Sequence, residues 1–126
     1  MPKPSAKSRV KPIVLCVEDN ETYLRLRKAV LEDAGYSVLS ASDPSEALKT
    51  FRETPVCMVI SDHMLRGTTG TDLAKQMKEW KPDVPIVLYS GRVPDKMKNI
   101  DCFINKDEPV SAFLKLIGDL LKRSTS

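Results

Sequence analysis

The sequence predicts a doubly wound α/β domain: one mostly parallel five-stranded sheet with helices on both faces. Three observations carry this reading. Short apolar runs recur along the chain, and each is followed by a stretch with helical spacing, so strand and helix alternate. The runs are apolar throughout rather than alternating, which is the pattern of strands covered on both faces. Right-handed crossovers between parallel strands leave few topologies open.

The first strand is Ile13-Val14-Leu15-Cys16-Val17, stopping at Glu18-Asp19. In the helix that follows, Tyr23, Leu26, Val30 and Ala34 fall three or four apart, Leu24 and Leu31 widen the stripe, and Gly35 is the stop. Residues 36–40 form a second, weaker strand. Asp43-Pro44-Ser45-Glu46 supplies an N-cap, a proline at the first helical position and a capping-box acid. It opens a helix whose apolar side is Ala47, Leu48 and Phe51. Val56-Cys57-Met58-Val59-Ile60 is the third strand and ends at Ser61-Asp62. A loop with Gly67 and Gly70 leads to a helix with Leu73, Met77 and Trp80 on its core side, ended by Lys81-Pro82. Pro85-Ile86-Val87-Leu88-Tyr89 is the fourth strand, ending at Ser90-Gly91. Residues 92–101 are polar, hold Pro94, and offer only Val93, Met97 and Ile100 to a core, so the fourth helix is expected to be short or irregular. Cys102-Phe103-Ile104 is the fifth strand and ends at Asn105-Lys106. The last helix has a full amphipathic stripe of Val110, Phe113, Leu114, Ile117, Leu120 and Leu121, with Pro109 in its first turn and Lys122 and Arg123 at its negative end.

A chain of 126 residues is one domain. It divides into a basic leader at 1–11, the domain at 12–123 and a tail at 124–126. Hydrophobic residues at 41% and charged residues at 29% permit a packed core and exclude wholesale disorder. No apolar run is long enough to cross a bilayer, and the leader lacks the apolar stretch of a secretory signal. The net charge of +3 sits largely on Lys3, Lys7, Arg9 and Lys11. A short basic leader of this kind reads as a solvated linker, so direct nucleic-acid binding is not expected. Cys16, Cys57 and Cys102 show no metal-ligand spacing and read as reduced, buried thiols, which with the missing signal implies a cytoplasmic protein.

The chemistry lies at strand ends. Glu18-Asp19, Asp62, Ser90 and Lys106 close four of the strands, and parallel strands put their C-terminal ends on one edge, where ligands bind. If the first and third strands are neighbours, Asp19 and Asp62 face each other, flanked by Ser90 and Lys106. Clustered carboxylates need a cation, and an all-oxygen set suits Mg2+. A carboxylate can also be the nucleophile that forms an aspartyl-phosphate, with a hydroxyl and a lysine to receive the phosphoryl oxygens. His63 follows Asp62 directly and is expected on the rim rather than as a ligand. Met77 and Trp80 read as core.

These residues resemble the response-regulator receiver family over roughly residues 11–122. The motifs are Val17-Glu18-Asp19-Asn20, Val59-Ile60-Ser61-Asp62 with Gly70 eight positions beyond, Pro85-Ile86-Val87-Leu88-Tyr89-Ser90-Gly91, and Phe103-Ile104-Asn105-Lys106. The segment Glu32-Asp33-Ala34-Gly35-Tyr36-Ser37-Val38 is similar to the family's first-helix exit. The resemblance implies a flavodoxin-like fold with strand order 2-1-3-4-5, a phosphoacceptor at Asp62, and Mg2+ held by Asp19 directly, by Glu18 through water, by Asp62 and by the backbone carbonyl of Met64. It implies a switch hydroxyl at Ser90, a switch aromatic at Phe103 and the family's phosphate-binding lysine at Lys106. It further implies a regulatory domain rather than an enzyme. Its partners are a histidine kinase or histidine phosphotransfer protein and a downstream protein effector, with a monomer or a phosphorylation-dependent dimer as its state.

The sequence also departs from the family. Arg66 and Asp107 stand where proline is usual, so the Lys106–Asp107 bond is expected to be trans, since a non-proline cis bond costs about 3 kcal/mol. Met64 and Arg92 occupy positions that tune dephosphorylation and imply a slow-to-moderate phosphoryl lifetime. Two other readings stand beside the switch. One is an interaction module that keeps the fold without using phosphorylation. The other is a flavin or nucleotide enzyme, which the acidic first loop and the lack of a glycine-rich phosphate motif oppose.

Overall fold

A computed structural model describes residues 10–125. Most of the basic leader therefore lies outside the described residues. The elements run β1 (Ile13–Val17), α1 (Glu21–Asp33), β2 (Ser37–Ala41), α2 (Pro44–Glu53), β3 (Met58–Ser61), β4 (Met64–Leu65), β5 (Thr68–Thr69), α3 (Gly70–Trp80), β6 (Ile86–Ser90), β7 (Cys102–Asn105) and α4 (Val110–Thr125). Five strands form one parallel sheet in the order β2-β1-β3-β6-β7, which is the expected 2-1-3-4-5 arrangement. The two-residue strands β4 and β5 form a small antiparallel hairpin, turning at Arg66-Gly67 where only a loop was expected.

Alternation along each strand sorts the core into two layers. Val14 and Cys16 of β1, Met58 and Ile60 of β3, Val87 of β6 and Ile104 of β7 meet α1 and α4. Leu15, Val17, Val59 and Ile86 meet α2 and α3 on the other side, around Phe51 and Met77. Local signals set the helix ends. Asn20 caps α1 by accepting the Tyr23 amide at 3.0 Å. Asp43 caps α2 by accepting the Glu46 amide at 2.8 Å, while Glu46 reaches back to the Ser42 amide at 3.0 Å. After α1 the chain turns through Gly35 at φ 105°, a conformation that a side chain would oppose.

Several expectations need correction. The inward face of α1 is Leu24, Arg27 and Leu31, while Tyr23 and Leu26 are exposed at 53% and 60%. The stripe was assigned by its apolar members, and an arginine occupies the middle of the true one. Trp80 is not core: it lies in the last turn of α3 with the Arg52 guanidinium over its ring at 4.5 Å. Residues 91–101 form no helix at all. They pass as bends and turns through Asn99 at φ 71°, and only Ile100 packs against the core. The far end is clamped by Asp101, whose carboxylate accepts the Ile86 amide at 2.7 Å and pairs with Lys78 at 2.7 Å. Helix α4 continues to Thr125, through most of the supposed tail. The Lys106–Asp107 bond is trans, as expected.

Candidate functional site

The strand period places the site. Glu18 extends the Val14-Cys16 side of β1, Asp62 the Met58-Ile60 side of β3, and Lys106 the Ile104 side of β7, so all three project over the same face at the C-terminal edge. The backbone makes the alignment tight: the Asp62 amide donates to Val17 O at 3.1 Å, and the Lys106 amide donates to Ser90 O at 3.0 Å. Lys106 Nζ then lies 3.2 Å from Asp62 Oδ2 and 3.4 Å from Glu18 Oε1. The other Asp62 oxygen accepts the His63 amide at 2.8 Å.

Gly70 allows this packing. A Cβ built on it would sit 2.5 Å from the Asp62 carbonyl oxygen and 2.5 Å from Leu88 Cδ1. The Gly70 amide donates to His63 O at 2.6 Å, which seals the hairpin back against the residue that follows Asp62. Here the glycine is needed for close approach rather than for its torsion angles.

Not every expected site residue joins the cluster. Asp19 is half-buried and, among the described residues, makes no hydrogen bond or ion pair. The Ser90 hydroxyl accepts the Arg92 amide at 3.3 Å and is not bonded to Asp62. Phe103, paired in register with Leu88, is half-buried on the face opposite Ile104. Met64 opens the hairpin with its side chain in solvent. His63 points its Nδ1 into a buried spot with no hydrogen-bond partner among the described residues.

Arg27 belongs to the cluster and was missed. It is 7% exposed, and its Nη1 lies 3.3 Å from Glu18 Oε1. Its guanidinium sits 4.7 Å over the Tyr89 ring, which stacks at 4.6 Å on Phe113 of α4. The signal was present in the spacing of Leu24, Arg27 and Leu31. Two carboxylates, Glu18 and Asp62, and two cations, Arg27 and Lys106, leave the cluster with no net charge.

The sequence signature of the response regulator receiver domain matches residues 14–108. The chain belongs to the response-regulator receiver family. It is 27% identical over 120 residues to the autoinducer 1 sensor kinase/phosphatase LuxN of Vibrio campbellii, covering 91% of this chain but only 14% of LuxN. A receiver-domain crystal structure from Clostridium thermocellum superposes with a TM-score of 0.85 at 23% identity, covering 90% of this chain and 97% of that one. The response regulator TrrA of Thermotoga maritima, solved in complex with Mg2+ and BeF, superposes with a TM-score of 0.81 at 24% identity, covering 86% of this chain and 98% of that one. The fold is thus that of a two-component receiver, a regulatory domain. No described helix is long and apolar enough to cross a membrane.

Receivers as a family are phosphorylated on aspartate and use Mg2+. Among the described residues no three acidic, histidine or cysteine side chains gather into a ready-made metal site. Mg2+ keeps several waters and takes one or two carboxylates rather than a full protein cage. This receiver offers Asp62 and, one residue past Glu18 on the neighbouring strand exit, Asp19.

Proposed function

We propose that Asp62 accepts a phosphoryl group from a histidine kinase or histidine phosphotransfer protein in the cytoplasm. The observation that carries this reading is Lys106 Nζ at 3.2 Å from Asp62 Oδ2, brought there from the outermost strand. An Asp62 oxygen forms the bond to phosphorus as the donor's phosphorus–nitrogen bond breaks, and the electron pair stays on the departing imidazole. Lys106 leaves its ion pair with the carboxylate to meet a phosphoryl oxygen as a point charge. The Ser90 hydroxyl, whose oxygen holds the Arg92 amide, donates its proton to another phosphoryl oxygen. Asp19, Asp62 and the Met64 carbonyl would hold Mg2+, which supplies neutralising charge for the incoming group.

The donor's docking surface is assigned to a groove of about 370 Å3 between α1 and α4, beside Lys106. Exposed Tyr23, Leu26 and Val110 line it, and exposed apolar side chains gathered beside a reactive residue are the mark of a contact surface. The output follows from Ser90 and the half-buried Phe103, whose movement changes the surface around β6 and β7 for a protein effector. Neither membrane attachment nor direct nucleic-acid binding is part of this reading.

Acetyl phosphate with Mg2+ is expected to add one phosphoryl group to the chain by intact mass, and Asp62→Asn to remove that gain. A gain that persists in the Asn variant overturns the assignment. A phosphorylation-independent interaction module is the second reading, favoured by the missing helix at 91–101. It prevails if beryllofluoride with Mg2+ leaves the amide spectrum unchanged.

A further inference from the structure

Glu18 is 1% exposed, and both of its oxygens are engaged. Oε1 accepts from Arg27 at 3.3 Å and from Lys106 at 3.4 Å, and Oε2 accepts the Asn20 amide at 3.1 Å. Arg27 is also buried, stacked on Tyr89 and permanently charged. Two buried opposite charges in contact form a lasting pair, because separating them strands a charge without solvent. Asp19, the next residue, has no such partner among the described residues.

Resting on the phosphoacceptor reading of Asp62, we propose that Arg27 withdraws Glu18 from the cation site. Asp19 and Asp62 are then its carboxylates, and the fixed Glu18–Arg27 pair is the anchor that holds Lys106 against Asp62. Arg27 and Glu18 are therefore positioning residues, acting through Lys106. This assigns the two halves of the acid pair different tasks, although they are adjacent in sequence. Asp19 faces the cation. Glu18 faces the lysine.

The double variant Glu18→Gln/Arg27→Met separates these tasks. It exchanges a buried ion pair for a neutral pair of similar size, so no charge is left stranded and the fold is retained. It also leaves the net charge of the cluster unchanged. Calorimetric titration of the full chain with MgCl2 is expected to give a Kd within about twofold of wild type, since no cation ligand has been removed. With acetyl phosphate at saturating Mg2+, the phosphorylation rate is expected to fall about tenfold, because Lys106 has lost one of the two anions that fix its position. Arg27→Lys, which keeps a cation beside Glu18, is expected to restore most of the rate. A tenfold or greater loss of Mg2+ affinity in the double variant overturns the proposal by making Glu18 a ligand, directly or through water. An unchanged rate overturns the positioning role and leaves the pair as a purely structural one. Either result in a chain whose wild type binds Mg2+ and is phosphorylated leaves the reading of Asp62 standing. A wild type that does neither removes both.

Discussion

Beneath α2 and α3 the sheet presents Leu15, Val17, Val59 and Ile86 to Phe51, Leu73 and Met77, and none of the described residues buried there is charged. Beneath α1 and α4 the same strands present Val14, Cys16 and Met58, and then end in Glu18 against Arg27. The first layer coheres by area and fit alone, so any loss of volume there is a loss without remedy. The second layer carries charges whose cost depends on whether they are matched. The two layers should therefore answer differently to one substitution and to a compensating pair.

The largest expected effect is on the apolar side. Phe51→Ala should lower the unfolding free energy in urea by about 3–5 kcal/mol. Because this loss is volume, no polar change elsewhere should restore it. On the charged side Arg27→Met should cost about 3 kcal/mol by taking the buried cation from Glu18, and adding Glu18→Gln should return stability to within about 1 kcal/mol of wild type. A double variant no more stable than the single would erase the distinction between the layers.

Gly70→Ala sits where the apolar side meets the site, and should cost about 1–3 kcal/mol through overlap with the Asp62 carbonyl and Leu88. Its phosphorylation by acetyl phosphate should slow as well, since relief of that overlap displaces Asp62. Cys16 gives a smaller effect, visible only in alkali. Burial pushes its thiol up from 9.0 to about 12. The unfolded chain thus releases this proton first, so the thiol's contribution is complete below pH 9 and is lost as pH rises toward 12. The loss is at most about 1.4 kcal/mol per pH unit. Urea melts at pH 8 and pH 10 should differ by about 1.4 kcal/mol through this thiol in wild type, and by correspondingly less in Cys16→Val. Smallest of all is Lys115–Asp119, an exposed pair one turn apart on α4, whose removal should change stability by less than about 0.5 kcal/mol.

Much of this architecture is legible in the amino-acid order because its signals are local. Uniform apolar runs mark the strands, and the polar residues that end them, Glu18, Asp62, Ser90 and Lys106, mark one edge. Asp43-Pro44-Ser45-Glu46 announces its helix through caps that depend on neighbours in sequence. What stays hidden depends on partners distant in sequence. Arg27 looks solvated until Glu18 and Tyr89 are brought beside it. Trp80 keeps helical step with Leu73 and Met77, yet it belongs to the last turn and meets Arg52 instead of the core. Residues 91–101 have too few apolar positions to nucleate a helix, and Asp101 tethers them through Lys78 and the Ile86 amide. Within the site, the position of Lys106 on the same edge as Asp62 is marked by strand ends, and their ion pair is seen only in the fold. The separate fates of Glu18 and Asp19 do not, since adjacent acids look alike until their surroundings are known.

A parallel sheet ordinarily hands force only from one strand to the next. Lys106, leaving β7 at the outer edge, reaches past β6 to Asp62 and on to Glu18 at the exit of β1, which α1 braces through Arg27. The upper edge is thereby laced shut like the mouth of a purse, and the outermost strand is in direct mechanical touch with the innermost. A change of charge at one carboxylate tugs on the whole drawstring.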